Sequence, residues 1–380
     1  MRPVRVLLVD DSVVIRRVVG DVIKDAPGVE LAGTAPNGRI GLAKIGQLVP
    51  DVVVLDVEMP EMDGLATLTA LRADWPRLPV IMFSTLTDRG AAVTLDALLR
   101  GADDYVTKPS HTGGLHEAQA RVQAELVPKI KLLGNRGGGP APRPGSGAPV
   151  PRRAPTPLPG RAAPAAPAAR IPTAARTDRR IDAVVIGVST GGPNALAEIT
   201  PALPADLPVP VVVVQHMPPM FTRLLAERLD TRSGLRIAEA AGGETLTPGS
   251  MWIAPGDHHL VVRGGPGQPV RLALDDGPKE NSCRPSVDPL FRSAATVWGP
   301  NLLAVVLTGM GRDGERGAAR IREAGGTVVA QDEASSVVWG MPGAVVEAGL
   351  ADAVMPLSGV ANEIVRIARI GRVASAAGTR

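Results

Sequence analysis

The chain has a single cysteine, Cys283, among its 380 residues. That excludes an internal disulfide and a thiolate-held metal cluster and fits a reducing compartment. Long apolar runs are missing as well. No stretch approaches the roughly 20 uninterrupted apolar residues of a membrane span, and the N-terminal MRPVRVLLVDD has too short an apolar run for a signal peptide. These absences set the expectation of a soluble, cytoplasmic protein with no direct membrane insertion, in which any metal is bound through oxygen.

A basic surplus is absent from most of the chain too. The net charge is +3, but residues 135–180 hold nine arginines against one aspartate, and that surplus of eight leaves −5 for the remainder. The basic segment is almost entirely Pro, Ala, Gly and Arg, with too few large apolar residues to offset the entropy of ordering it. It reads as a solvated tether, although anion binding by its arginines is the other reading. The acidic remainder shows no basic recognition helix, so a nucleic-acid partner is not expected. The resulting division is a first domain over 1–125, a mostly disordered linker over 126–180, a second domain over 181–370 and a frayed end over 371–380.

In the first domain, VRVLLVD, DVVVLDVEM, LPVIMFST and DDYVTKP read as short buried strands. They alternate with amphipathic stretches such as SVVIRRVVGDVIKDA and GLATLTALRADW. This βαβ rhythm predicts a parallel sheet covered on both faces, with ligands bound beyond the carboxyl ends of the strands. Asp10, Asp11, Asp56, Ser84, Thr85 and Lys108 all fall at such ends. Clustered carboxylates repel unless a cation joins them, and a hard ion such as Mg²⁺ takes oxygen ligands while keeping waters that a phosphoryl oxygen can replace. The plainer alternative makes Asp10 and Asp11 helix caps and Asp56 a surface acid.

VDDS, LDVEMPEMDG, MFST and DYVTKP together resemble the receiver domain of two-component response regulators, a five-stranded flavodoxin-like fold. The resemblance implies that Asp56 accepts a phosphoryl group from a histidine kinase. It also implies that Asp10, Asp11 and Asp56 hold Mg²⁺ with the backbone carbonyl of Glu58, that Lys108 contacts the phosphoryl oxygens, and that Ser84 and Tyr105 form the switch pair.

Beyond the linker, RIDAVVIGVSTGGPNAL is a strand running into a glycine turn and a helix. Residues 187–191 fit G-x-S-x-G, which exposes Ser189 at a tight strand-to-helix turn; a purely structural turn fits equally. No Lys-Ser or Lys-Thr follows Gly192, so a P-loop is excluded. A serine hydroxyl needs a base, and His216 closes the apolar run PVPVVVVQ. His258 and His259 sit in a hairpin or loop and could line a substrate groove. Asp313 follows the apolar run NLLAVVL and would orient the imidazole; its competitor, Asp288, reads as part of a helix start capped by Ser286 or by itself, with Arg284 and Ser286 left to contact substrate. The N–H of Thr190 at a helix N-terminus, and that of Met310 in the turn TGMG, are candidate oxyanion donors.

The order Ser, His, Asp disfavours α/β-hydrolases. GVSTGGP, QHMPPMFTRLLAERL, APGDHH, RPSVDPLF, LTGMGRDG and AQDEASSVVWGMPGAV instead resemble the catalytic domain of the CheB protein-glutamate methylesterase family, a doubly wound α/β fold. The resemblance implies hydrolysis of glutamate methyl esters on the cytoplasmic helices of chemoreceptors, with release of methanol, and deamidation of glutamines. It assigns Ser189 as nucleophile, His216 as base and Asp313 as orienting carboxylate, and the esterase step calls for no cofactor. The unphosphorylated receiver is expected to pack over the strand ends carrying Ser189, weakly if the long linker dilutes it. The alternative is a docking module without catalysis.

Overall fold

The computed structural model of the protein describes residues 2–85, 87–108, 114–135, 175, 178–265 and 268–372. Most of the linker and the last eight residues lie outside them.

The first unit runs β1 (Val4–Val9), α1 (Val13–Asp25), β2 (Val29–Ala35), α2 (Gly38–Leu48), β3 (Val52–Asp56), α3 (Gly64–Asp74), β4 (Val80–Ser84), α4 (Asp88–Leu99), β5 (Asp104–Thr107) and α5 (Leu115–Gly134). Its sheet is parallel, in the order β2-β1-β3-β4-β5. β3 and β4 are buried at every position, so they read as continuous apolar runs without alternation. The helices start where short polar side chains can accept a free backbone N–H: Ser12 from Ile15, Asn37 from Ile40, Asp63 from Ala66 and Thr87 from Gly90. Ser12, and neither Asp10 nor Asp11, therefore caps α1, which leaves both acids for the strand-end cluster. α5 continues to Gly134, past the boundary expected at 125.

The second unit contains β6 (Ala183–Val188), α6 (Gly192–Ile199), β7 (Val211–Gln215), α7 (Phe221–Asp230), β8 (Arg236–Glu239), β9 (Ser250–Ile253), β10 (His259–Arg263), β11 (Arg271–Asp275) and α8 (Val287–Trp298). β12 (Leu302–Val306), α9 (Glu315–Glu323), β13 (Thr327–Gln331), α10 (Met341–Glu347), β14 (Ala353–Met355) and α11 (Leu357–Ala368) complete it. Seven parallel strands are ordered β14-β13-β12-β6-β7-β9-β8, while β10 and β11 form a separate antiparallel hairpin. The chain reverses its direction of travel across the sheet at β6, and the crevice at such a reversal is where doubly wound sheets bind ligands. Arg372 is anchored by hydrogen bonds to Ile181 O and Pro208 O, so the final turn of the described chain is tied down. No helix among the described residues is long and apolar enough to cross a membrane.

Candidate active site

β12, β6 and β7 lie side by side, and each hands its first loop residues to one crevice. Ser189 follows β6, His216 follows β7, and Asp313 lies in the loop after β12. The Ser189 N–H donates to Thr308 O at 3.0 Å and the His216 N–H to Val188 O at 3.2 Å, so the two loops extend the ladder before diverging. The buried Gln215 amide ties them again, donating to Ser189 O at 3.0 Å and His216 O at 3.3 Å. Gly191 takes φ 79°, a left-handed turn that glycine adopts without strain and that opens α6 directly behind the serine. Gly309 allows close approach: a Cβ there would stand 2.8 Å from Ser189 Cβ.

His216 Nε2 meets Asp313 Oδ2 at 2.7 Å, and both side chains are largely buried. Asp313 Oδ2 also accepts from Val287 N, and Oδ1 accepts from Asn281 Nδ2, Ser286 Oγ, Asp288 N and Gly314 N. Burial alone would raise the Asp313 carboxyl; its hydrogen bond with His216 and that residue's charge lead the opposing effects and hold it at about 2. Burial likewise disfavours a charged imidazole at His216, but its hydrogen bonds to Asp313 and Cys283 prevail and lift it from 6.5 to about 10. Both shifts favour the charged forms, an imidazolium against a carboxylate.

The other ring nitrogen, Nδ1, faces Cys283 Sγ at 3.7 Å, and the Ser189 hydroxyl makes no hydrogen bond among the described residues. Sequence reasoning missed this cysteine. It is delivered by the turn Glu280–Cys283, whose end residues exchange N–H···O bonds of 3.1 and 2.8 Å and whose middle residues, Asn281 and Ser282, have φ 50° and 64°. Two consecutive positive φ values make this a type I′ turn built without glycine. Asn281 from the same turn bridges Asp313 and Asp288, donating at 2.8 and 3.0 Å.

Asp288 is fully buried and accepts from Gly314 N and Gly317 N, which fixes the Asp313 loop against α9. It is thus neither the partner of His216 nor a simple cap. Ser286 precedes α8 but makes no side-chain cap; its hydroxyl goes to Asp313. Arg284 is held by Asp257 and two carbonyls, and the exposed His258 pairs with Asp276. The buried His259 hydrogen-bonds Pro278 O and the Ser286 N–H. None of these three lines the crevice beside Ser189. Thr190 and Met310 do line it, and among the described residues their backbone N–H groups have no acceptor.

In the first unit, Asp10, Asp11 and Asp56 present carboxylate oxygens within 4.8 Å of one another, a donor set suited to a hard divalent cation. Lys108 Nζ lies 2.8 Å from Asp10 and 2.7 Å from Asp56. Burial, then the charge of Asp10, raises the Asp56 carboxyl to about 6 despite Lys108. The Glu58 N–H donates to Asp56 at 3.3 Å. The Ser84 hydroxyl donates to Gly90 O of α4 at 3.2 Å.

The two units meet over the crevice, as expected despite the linker's length. Its volume is about 390 Å³, and Leu98, Asp104, Tyr105 and Lys129 of the first unit share its wall with Ser189, His216 and Cys283. Thr190 Oγ1 donates to Asp104 Oδ2 at 2.8 Å, and Lys129 Nζ lies 3.0 Å from the same oxygen. Tyr105 stacks on Phe221 with centroids 4.7 Å apart, Asn194 reaches Ala102 O, and Arg228 of α7 pairs with Asp96 of α4.

Two family profiles match the chain: CheB methylesterase over residues 184–364 and response regulator receiver domain over residues 6–120. Among whole-length relatives is a protein-glutamate methylesterase/protein-glutamine glutaminase of Trichodesmium erythraeum, 45% identical over 368 residues, which span 97% of this chain and 99% of the relative. One from a Nocardioides species is 49% identical over 369 residues, 96% of each chain. A Caulobacter vibrioides protein of the same description, numbered 2, is 47% identical over 367 residues, spanning 96% of this chain and 99% of the relative.

Proposed function

From the premise that the chain belongs to the CheB methylesterase family, we propose that it hydrolyses glutamate methyl esters on chemoreceptor helices and deamidates glutamines there, under control of phosphorylation at Asp56. The observation that carries this reading is the His216–Asp313 pair beside an unengaged Ser189 hydroxyl in one crevice.

Ser189 Oγ attacks the ester carbonyl carbon and passes its proton to His216. Nε2 is committed to Asp313, so Nδ1 is the nitrogen that takes it. The N–H groups of Thr190 and Met310 face the developing oxyanion. Collapse breaks the C–O bond, and the proton returns from His216 to the leaving methoxide, giving methanol. Water, deprotonated by His216, then cleaves the acyl-serine and leaves a glutamate carboxylate. With glutamine the leaving group is ammonia.

In the closed arrangement this cycle cannot begin. Leu98, Asp104, Tyr105 and Lys129 of the receiver wall the crevice in front of Ser189, and Asp104 places a carboxylate beside Thr190, where the oxyanion would need donors. The receiver is therefore an inhibitor in cis. Mg²⁺, held by Asp10, Asp11, Asp56 and the Glu58 carbonyl, would neutralise charge on a phosphoryl group arriving from a histidine kinase. Lys108 would then turn to the new phosphoryl oxygens and Ser84 would leave Gly90. Tyr105, next to Asp104, is the route by which that movement reaches Phe221 and Thr190. The cytoplasm is where receptor helices and kinase are both met.

Methanol release from methylated receptor, measured with and without a small-molecule phosphodonor, tests the reading. Release is expected to rise with the phosphodonor and to vanish in Ser189→Ala, which should fold as the parent does because its hydroxyl has no partner to lose. Unchanged release in Ser189→Ala would sink the enzymatic assignment, and equal release with and without phosphodonor would sink the control.

A further inference from the structure

We infer that the face of α7 now covered by receiver helix α4 is the docking surface for the acidic helix that carries the substrate glutamate, with Arg228 as its charged anchor. This rests on the esterase reading above. The crevice has receiver residues Leu98, Asp104, Tyr105 and Lys129 in its wall, so the side that the receiver covers is a mouth of the active site. A glutamyl side chain is short, and a helix is about 10–12 Å across with its side chains, so the substrate helix must lie directly over that mouth.

α7 adjoins that wall through Phe221, which stacks on Tyr105, and carries Phe221, Leu224, Leu225 and Arg228 at i, i+3, i+4 and i+7, one continuous stripe. Phe221 is already engaged by Tyr105, and Leu224 packs into the apolar cluster that joins the two units. The other cation of α7, Arg223, is spent within the helix on Glu227. Arg228 instead reaches across to Asp96, with Nε–Oδ1 at 3.0 Å and Nη2–Oδ2 at 3.4 Å.

What sits there now is a helix offering a leucine to the crevice and a carboxylate to Arg228. The substrate helix has the same chemistry, because every turnover leaves a glutamate carboxylate on it. The receiver helix thus occupies the surface as a substrate look-alike, and inhibition and recognition use one anchor.

Charge-reversed variants of the full chain separate the two roles. With saturating phosphodonor, Arg228→Glu is expected to raise the KM for methylated receptor roughly threefold to tenfold with kcat within about twofold, the scale of losing and reversing one interfacial charge pair. Asp96→Arg, which leaves the catalytic unit intact, should keep the parental KM. Without phosphodonor, at saturating substrate, both single variants should be more active than the parent. The double variant should return to low activity while keeping the raised KM. An Arg228→Glu KM equal to that of the parent overturns the inference, and Arg228→Gln serves if the reversal does not fold. Absence of methanol release by the phosphorylated parent would overturn the esterase reading instead.

Discussion

Asp56 keeps a carboxylate in a place that opposes its charge. It is 2% exposed, and its pKa stands near 6, above the 3.8 of an unfolded chain. Between those two values the folded protein holds a proton that the unfolded chain has released. Stability therefore falls as pH rises through that window and stays lower above it, by up to about 3 kcal/mol at 1.36 kcal/mol per pKa unit. Asp56→Asn removes the penalty. In Mg²⁺-free buffer its receiver transition is expected at higher temperature than the parent's at pH 7.5, with the difference shrinking by pH 4.5. An equal difference at both pH values in thermal unfolding would contradict the burial argument. The carboxylate that the proposed cation and phosphoryl chemistry would use is a standing cost to the receiver.

At the scale of elements, the contact between β5 with α5 and the start of α6 would serve as the latch of the proposed switch. Asp104 stands between Thr190 and Lys129, buried from water, where a hydrogen bond to a charged group typically contributes about 1.5–3 kcal/mol. Asp104→Ala should raise methanol release without phosphodonor by about tenfold or more and leave release with phosphodonor unchanged. If the unstimulated rate stays at the parental level, the closed state is held elsewhere.

The strands that position both sites were legible because they are buried on both faces and read as unbroken apolar runs. Asp56, Ser189 and His216 stand out for the same reason, as the polar residues that end such runs. Asp313 needed the further cue of a glycine-rich turn. The surroundings were not legible. Cys283 reaches His216 through a left-handed turn at Asn281 and Ser282 that contains no glycine to announce it. Ser286 has the residue type of a helix cap, yet its hydroxyl serves a carboxylate 27 positions away. The pairing of Asp104 with Thr190 spans 86 positions and two domains, and no local pattern encodes it.

For the whole molecule, one apolar cluster runs from the receiver sheet through Leu98 and Tyr105 into Phe221 and Leu225, so the two units close on a shared core. Opening must expose what lies between them. Cys283, partly buried in that crevice, is the thiol to watch. Its labelling by a maleimide, followed by intact mass, should quicken several-fold when phosphodonor and Mg²⁺ are added to the parent, and should be insensitive to them in Asp56→Asn. A rate indifferent to phosphodonor in the parent would mean that the units do not part.

The position of that thiol has a mechanical consequence. The closed crevice has about 390 Å³ to give, shared between two domains. A methyl group attached to Cys283 fits within it and lets the units reseat. A dye coupled during opening does not, and becomes a wedge that props the receiver away from α6 and α7. Because the chain contains no second cysteine, a graded series of adducts would work as a feeler gauge, and the size at which reseating fails would measure the clearance of the closed state.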